Sequence, residues 1–240
     1  MRELRFGGRK RAEQLIQEHP AKNTRPAPEY SRREELANVL THLTGVGLSI
    51  AALCVLVVYA RADGDLYHIV SVSIFGTTLI LLYLMSTIYH TVREPSLKHA
   101  FRIADHACIY LLIAGSYTPF VLVNMRGGWG WSLFGVIWGL AAFGIVYKIM
   151  FIRHFPIIST LVYLAMGWML VVGIKPALET IPLAGLGWLL AGGLLYTGGV
   201  AFYVWRKLPF NHAIWHLFVM GGSFCHVLAV FWYVVPAPTA

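Results

Sequence analysis

From residue 36 to residue 235 the chain alternates long apolar runs with short breaks of charged, glycine or proline residues. Seven runs stand out, at 36–60, 66–92, 103–124, 129–150, 155–174, 183–205 and 212–235. Each is near the ~20 apolar residues that an α-helix needs to cross a bilayer. Lipid offers no water to bond a bare backbone, so each run must satisfy its own N–H and C=O groups, which a helix does. The pattern predicts an all-α integral membrane protein, a seven-transmembrane helix bundle over residues 36–240. Residues 1–35 break the pattern. They are polar and basic, without the apolar stretch of a signal peptide, and read as a solvated cytoplasmic tail with a short surface helix around Arg9–Glu18. Gly-rich spans such as "GLGWLLAGGLLYTGG" let helices approach closely, and Pro119 and Pro156 kink or start theirs.

Composition agrees with this reading, and charge adds an orientation. The chain is 58% hydrophobic and 12% charged, with mean hydropathy +0.64, outside the range of soluble domains. A net charge of +8 invites a nucleic-acid partner, but its distribution argues against one. Nine of the 19 lysines and arginines lie in the tail. Three more follow span two (Arg93, Lys98, Arg102), two lie at the end of span four or just after it (Lys148, Arg153) and two follow span six (Arg206, Lys207), which puts sixteen on one side. Only Arg61, Arg126 and Lys175 fall on the other. The positive-inside rule then sets the N-terminus in the cytoplasm and the C-terminus outside. The basic tail faces anionic lipid headgroups rather than nucleic acid. Cys54, Cys108 and Cys225 are scattered singly inside spans and read as packing residues. No internal repeat or linker divides the bundle.

Ionisable groups inside spans are costly, so each is a functional candidate. His90 closes the second span in "STIYH", Asp105 opens the third in "DHACIY", and His212 and His216 open the seventh in "NHAIWH". The charge count brings all four to one level, near the cytoplasmic surface. His212 and His216 are four apart, on one helix face about 6 Å apart along the axis, a spacing at which two imidazoles can grip one metal ion. With His90 the set becomes three histidines, leaving zinc a fourth position for water. Asp105 suits the role of general base to that water, and Ser86, one turn before His90, that of orienting it or polarising a substrate carbonyl. Glu35, Asn38 and His42 share a face at the start of span one and read as support around the site. His226 lies about 15 Å deeper than His216 and reads as a buried hydrogen bonder. His106 points about 100° away from Asp105 and is a weak ligand candidate. His68, His99 and His154 read as interfacial. The alternative to a metal centre is a proton relay or a structural polar network, and on residue types alone both readings stand.

These residues sit in longer stretches that resemble a known family. "EELANVLTHL", "STIYH", "DHACIYLLIAGSYTPF", "GWSLFGVIW", "MGWMLVVGIKP", "LAGGLLYTGGVAFYVWRKLPFNHAIWHLF" and "CHVLAVFWYV" together look like a bacterial member of the hemolysin III group in the progestin and adipoQ receptor superfamily. The resemblance runs from about residue 30 to 235. It implies seven helices with a cytoplasmic N-terminus and a zinc ion near the cytoplasmic face, held by His90, His212 and His216. It also implies a water-holding Asp105 and places the serine of the family's SxxxH motif on Ser86. Eukaryotic relatives are associated with zinc-dependent hydrolysis of lipid amides, and bacterial ones with membrane-lipid homeostasis in the inner (plasma) membrane.

Three function classes follow: a zinc hydrolase of a membrane-lipid amide or ester, a membrane sensor in which zinc is structural, and the cytolysin of the family name. The last fits poorly, because seven apolar spans with no soluble domain do not suit a toxin that must first survive in water. A retinal pump fits no better, since span seven has no lysine. Three protein ligands rather than four favour the hydrolase.

Overall fold

The structure is a computed structural model that describes residues 30–151 and 156–235. Most of the basic tail, its expected surface helix at Arg9–Glu18, Arg153 and His154 lie outside the described residues. The described chain is helical throughout: α1 (Arg32–Asp63), α2 (Leu66–Thr91), α3 (Pro95–Pro119), a π turn at Phe120–Asn124, α4 (Gly128–Phe151), α5 (Pro156–Gly167), a 3-10 turn at Met169–Val171, α6 (Ile174–Thr180), α7 (Leu183–Val204) and α8 (Asn211–Tyr233).

Three helices start where a side chain takes up their free N–H groups. Ser31 and Glu34 form a capping box on α1. Asp65 accepts from Tyr67 N and His68 N to start α2. Glu94 accepts from Ser96 N and Leu97 N, with Pro95 in the first turn of α3. That cap carries α3 well ahead of the apolar run at 103. Pro119, which has no N–H to offer, stands where α3 gives way to the π turn.

Large apolar side chains lie exposed along the helices, for example Leu36, Leu40, Leu48, Phe143, Leu161, Leu194 and Phe224. Polar ones are buried, among them Asn38, Ser71, Thr78, Ser86, His90 and Asp105. Apolar exposure on this scale is a lipid-facing surface. Among the described residues six helices are long and apolar enough to cross a membrane, and the protein is a multi-pass membrane protein.

The apolar run at 155–174 departs from the single helix expected of it. It breaks into α5, the 3-10 turn and α6, with Gly167 and Gly173 at the two joints. Broken backbone at membrane depth needs partners from neighbouring helices. Tyr117 of α3 supplies them: its hydroxyl donates to Gly167 O at 2.8 Å and accepts from Leu170 N at 3.0 Å.

Neighbouring helices pair as α1 with α2, α2 with α3, α3 with α4 and α7 with α8, and α1 also packs on α8. The main core joins α1, α2, α3 and α8 through Leu56, Phe75, Leu79, Leu112, Val219 and Val230. Gly45 and Gly222 admit two tyrosine rings into this packing. A Cβ on Gly45 would stand 2.7 Å from Tyr83, and one on Gly222 2.7 Å from Tyr196. Both hydroxyls reach Ser223, at 2.7 Å from Tyr83 and 2.8 Å from Tyr196, tying α2, α7 and α8 together.

Candidate metal centre

His90 is the last residue but one of α2, and His212 and His216 occupy the first two turns of α8. All three are buried, at 4%, 9% and 1% exposure. Their ring centroids are 5.0 Å (His90 to His212), 5.3 Å (His90 to His216) and 4.5 Å (His212 to His216) apart. One nitrogen from each lies within 4.8 Å of the others.

The start of α8 is anchored from two sides. Asn211 Nδ2 donates to Phe202 O at 3.0 Å, and Phe210 N donates to Glu34 Oε1 at 3.1 Å. Phe210 itself has φ 56°, a left-handed conformation that is strained for a bulky residue. Those contacts hold the turn that aims His212 inward.

Hydrogen bonds set two of the ring tautomers. Glu35 Oε2 lies 2.6 Å from His90 Nδ1. A carboxylate only accepts, so His90 carries its proton on Nδ1 and presents a lone pair on Nε2. Nε2 is buried with no hydrogen-bond partner. Thr41 Oγ1 donates to backbone carbonyls of its own helix, at 2.9 Å from Ala37 O and from Asn38 O. Its one proton is thus engaged, so it accepts from His216 Nδ1 at 3.0 Å and leaves Nε2 of that ring as the lone pair. Nδ1 of His212 is likewise buried and unpartnered. Three buried, clustered imidazoles, two of them with an unpartnered nitrogen, are a donor set that suits zinc. Orphaned buried nitrogens are costly without a partner, and one ion among the three rings would serve those of His90 and His212 together.

Of the predicted supporting residues, Glu35 and Asn38 gather on His90. Lys98 Nζ bonds the second oxygen of Glu35 at 2.8 Å, and Asn38 Nδ2 lies 3.4 Å from His90 Nδ1. A carboxylate behind a ligating histidine fixes its ring and raises its basicity. His42 stacks on His216 at 3.4 Å with 12° between planes and stays outside the three-nitrogen group.

Asp105, at 8% exposure, and Ser86, at 1%, line one cavity with His42, His212 and His216. Their side chains are neighbours in the wall. The cavity has a volume of about 540 Å³ and runs on between α3, α5, α6 and α7 along Leu112, Ile113, Leu170, Ile174, Leu186 and Leu190. Its wall is overwhelmingly apolar away from the histidine end. His106 also lines the cavity and stays outside the three-histidine group, donating from Nδ1 to Arg102 O at 2.8 Å. His226 lies apart from the cluster, with Nε2 donating to Leu189 O at 3.4 Å across to α7.

Three residues at the site escape a reading of residue types. Tyr30, just ahead of the first cap, stacks on His212 at 5.1 Å and tilts over His90 at 6.0 Å. Burial pushes its phenol up, so the ring stays neutral. Lys98 clamps Glu35. Lys148, expected at a helix end among the cytoplasmic charges, is 3% exposed and turned into the cavity. An aromatic or a lysine at a span end carries no mark that separates it from ordinary interfacial anchors.

Comparison with known proteins places these residues in a wider group. The family model described as Haemolysin-III related matches residues 30–227. "Hemolysin-3" of Bacillus cereus is 49% identical over 204 residues, 85% of this chain and 93% of that protein. "Hemolysin-3 homolog" of Bacillus subtilis (strain 168) is 46% identical over 209 residues, 87% and 98% of the two chains. "Monocyte to macrophage differentiation factor" of Homo sapiens is 31% identical over 215 residues, 86% and 87% of the two chains. No solved structure matches the chain.

Proposed function

The chain belongs to the haemolysin-III related family, and from that footing we propose that it is a zinc-dependent hydrolase of a lipid amide or ester, working within the inner (plasma) membrane of a bacterium. The observation that carries this reading is the juxtaposition of three clustered histidines, two with buried unpartnered nitrogens, a buried carboxylate and a lipid-sized apolar cavity. Three protein ligands leave a fourth position open, as hydrolytic zinc sites do.

His90, His212 and His216 would hold the zinc, which when bound would supply Lewis acidity and lower the pKa of a water to about 7. The chain's own residues do the rest. Asp105 takes the proton from the attacking water as its oxygen bonds to the acyl carbon. It then delivers that proton to the leaving nitrogen or oxygen as the bond to the acyl carbon breaks, yielding a fatty acid and an amine or alcohol. Ser86 steadies the Asp105 carboxylate from α2. Glu35 holds the proton on His90 Nδ1, and the walls from Leu112 to Leu190 hold the acyl chain and exclude water.

In the same reading the bundle crosses the membrane seven times, with the N-terminus inside and the basic tail against anionic headgroups. The seventh crossing is supplied jointly by α5, the 3-10 turn and α6. Their summed rise is about 35 Å, enough for a hydrocarbon core of about 30 Å. Tyr163 of α5 bonds His106 O beside the site, whereas Gly173, at the start of α6, faces Leu133 and Met125 beyond the π turn.

Asp105→Asn in proteoliposomes of bacterial lipid tests the chemistry, with lipids analysed by mass spectrometry with and without chelator. The variant retains its metal and loses hydrolysis. Turnover by the metal-loaded variant would remove Asp105 as the base, and the lack of any chelator-sensitive product in the wild type would remove the hydrolase. A structural role for zinc is the second reading, favoured by the few direct contacts between α2 and α8, which the ligands span. It predicts that chelation lowers the melting temperature without any product having formed.

A further inference from the structure

At the histidine end of the cavity the fixed charges do not balance. Lys148 stands three residues before the end of α4, where a lysine ordinarily snorkels to the membrane surface. Here the side chain turns inward instead. It is 3% exposed, lines the cavity with Asp105 and His106, and has its Nζ 5.9 Å from the Tyr163 ring centroid. Among the described residues no carboxylate lies within ion-pair distance of it. Arg102, one turn before His106 on α3 and outside the cavity lining, adds a second cation behind that wall, with its Nε buried without a hydrogen-bond partner.

Two carboxylates are at hand to answer these charges. Glu35 has both oxygens engaged, one by His90 and one by Lys98. Asp105 sits with Oδ2 3.5 Å from His106 Nδ1 and is the one carboxylate among the described cavity-lining residues. Lys148 and Arg102 thus outnumber it, and a metal cation nearby would widen the excess. A buried ammonium is costly unless paired, and a cavity that holds one open to its interior is shaped for an anion.

We propose that Lys148, assisted by Arg102, binds the anionic group of a lipid whose chain fills the apolar cavity. The substrate is then an acyl amide or ester that bears a carboxylate or phosphate on its polar side. This deepens the hydrolase reading, on which the position of the scissile bond rests. Lys148 is a specificity residue and takes no part in moving the proton.

The test compares N-palmitoylglycine with N-palmitoylethanolamine, which share chain and amide and differ by a carboxylate against a neutral hydroxymethyl. 1-Palmitoyl lysophosphatidate distinguishes phosphate from carboxylate. Each is titrated into metal-loaded protein in detergent, and the concentration giving half the maximal rise in melting temperature is read. At least one anion half-saturates at a concentration lower by about fivefold or more than the neutral amide, as one charge-assisted hydrogen bond provides. Lys148→Arg keeps that ratio, and Lys148→Met cuts it by about threefold or more. Should Lys148→Met not fold, Arg102→Gln takes its place, with a cut of about twofold or more. A smaller wild-type ratio for both anions, or a smaller cut in the variant, overturns the proposal. Hydrolysis is scored in the same samples. Anion preference without product sinks the hydrolase and leaves the anion site standing, and product without anion preference does the reverse.

Discussion

Replacing Glu35 by glutamine probes whether the outer residues tune the metal centre. The wild-type carboxylate accepts twice, from His90 Nδ1 at 2.6 Å and from Lys98 Nζ at 2.8 Å. A glutamine amide has nearly the same shape but can accept with only one of its two ends. With its oxygen toward His90, its NH2 meets the Lys98 ammonium. Turned over, its NH2 meets the His90 N–H. Either way one donor faces another, and the His90 ring loses its orientation or its tautomer. Partners behind a ligating histidine are worth about 10–100-fold in metal affinity, or about 1.4–2.7 kcal/mol. Lys98→Met is the control. It breaks the Glu35 ion pair, whose partners are 27% and 21% exposed, but leaves the contact with His90. A partly exposed pair contributes about 0–1 kcal/mol, so the control shifts the zinc Kd by less than about fivefold. Competition against a chromophoric chelator in detergent gives both constants at one pH. A Glu35→Gln constant within about threefold of wild type would refute the reasoning, since the carboxylate would then have no hold on the ligand.

Two further predictions concern the frame that carries the site. Gly222→Ala places a methyl 2.7 Å from a Tyr196 ring that cannot retreat without giving up its 2.8 Å bond to Ser223. It costs about 1–3 kcal/mol and lowers the melting temperature by several degrees, and an unchanged melting curve would show that the ring yields freely. At the opposite end, burial raises the Asp65 carboxyl, but the hydrogen bonds and charge of Arg126 and the hydrogen bonds of His68 together outweigh it and hold the group well below the usual carboxylate range. A depressed folded value stabilises above the unfolded one, about pH 4, and that contribution is lost as pH falls through the folded value. Asp65 is 46% exposed, so the effect is small. Asp65→Asn flattens the acid side of a melting-temperature profile, and a profile with the wild-type slope would place the titration elsewhere.

The helices were largely legible in the alternation of apolar runs and breaks, because lipid forces every run to close its own hydrogen bonds. Two departures have local causes. The cap of Glu94 and Pro95 starts α3 within "SLKHAFR", a stretch too polar to register as a span. The run at 155–174 is apolar enough for one helix, and what divides it is a pair of glycines together with a tyrosine hydroxyl fifty residues away. The histidine group was legible for a different reason. Its spacing of four and its common depth follow from helix geometry and charge bias, neither of which needs tertiary contacts. The rest of the site was not. Tyr30, Lys98 and Lys148 resemble ordinary interfacial residues until packing decides whether each turns toward lipid or toward the histidines.

The broken fifth segment and the cavity are a single feature of the fold. Gly167, Trp168, Leu170 and Val171, which form the break, line the cavity together with Tyr117, whose hydroxyl repairs it. On the far side α7 packs chiefly on α8 rather than on α5 or α6, so the space between is left unfilled. An uninterrupted helix at 155–174 would present a regular ridge of side chains to that space, and ridges pack into grooves without a gap of this size. Breaking the helix gives up main-chain bonds that Tyr117 restores, and in exchange the bundle keeps an apolar channel ending at His212, His216 and Asp105. A metal buried in a close-packed bundle could only hold helices together. One that opens onto a channel wide enough for an acyl chain can meet a lipid, and the irregular backbone at 167–173 is what separates the two cases.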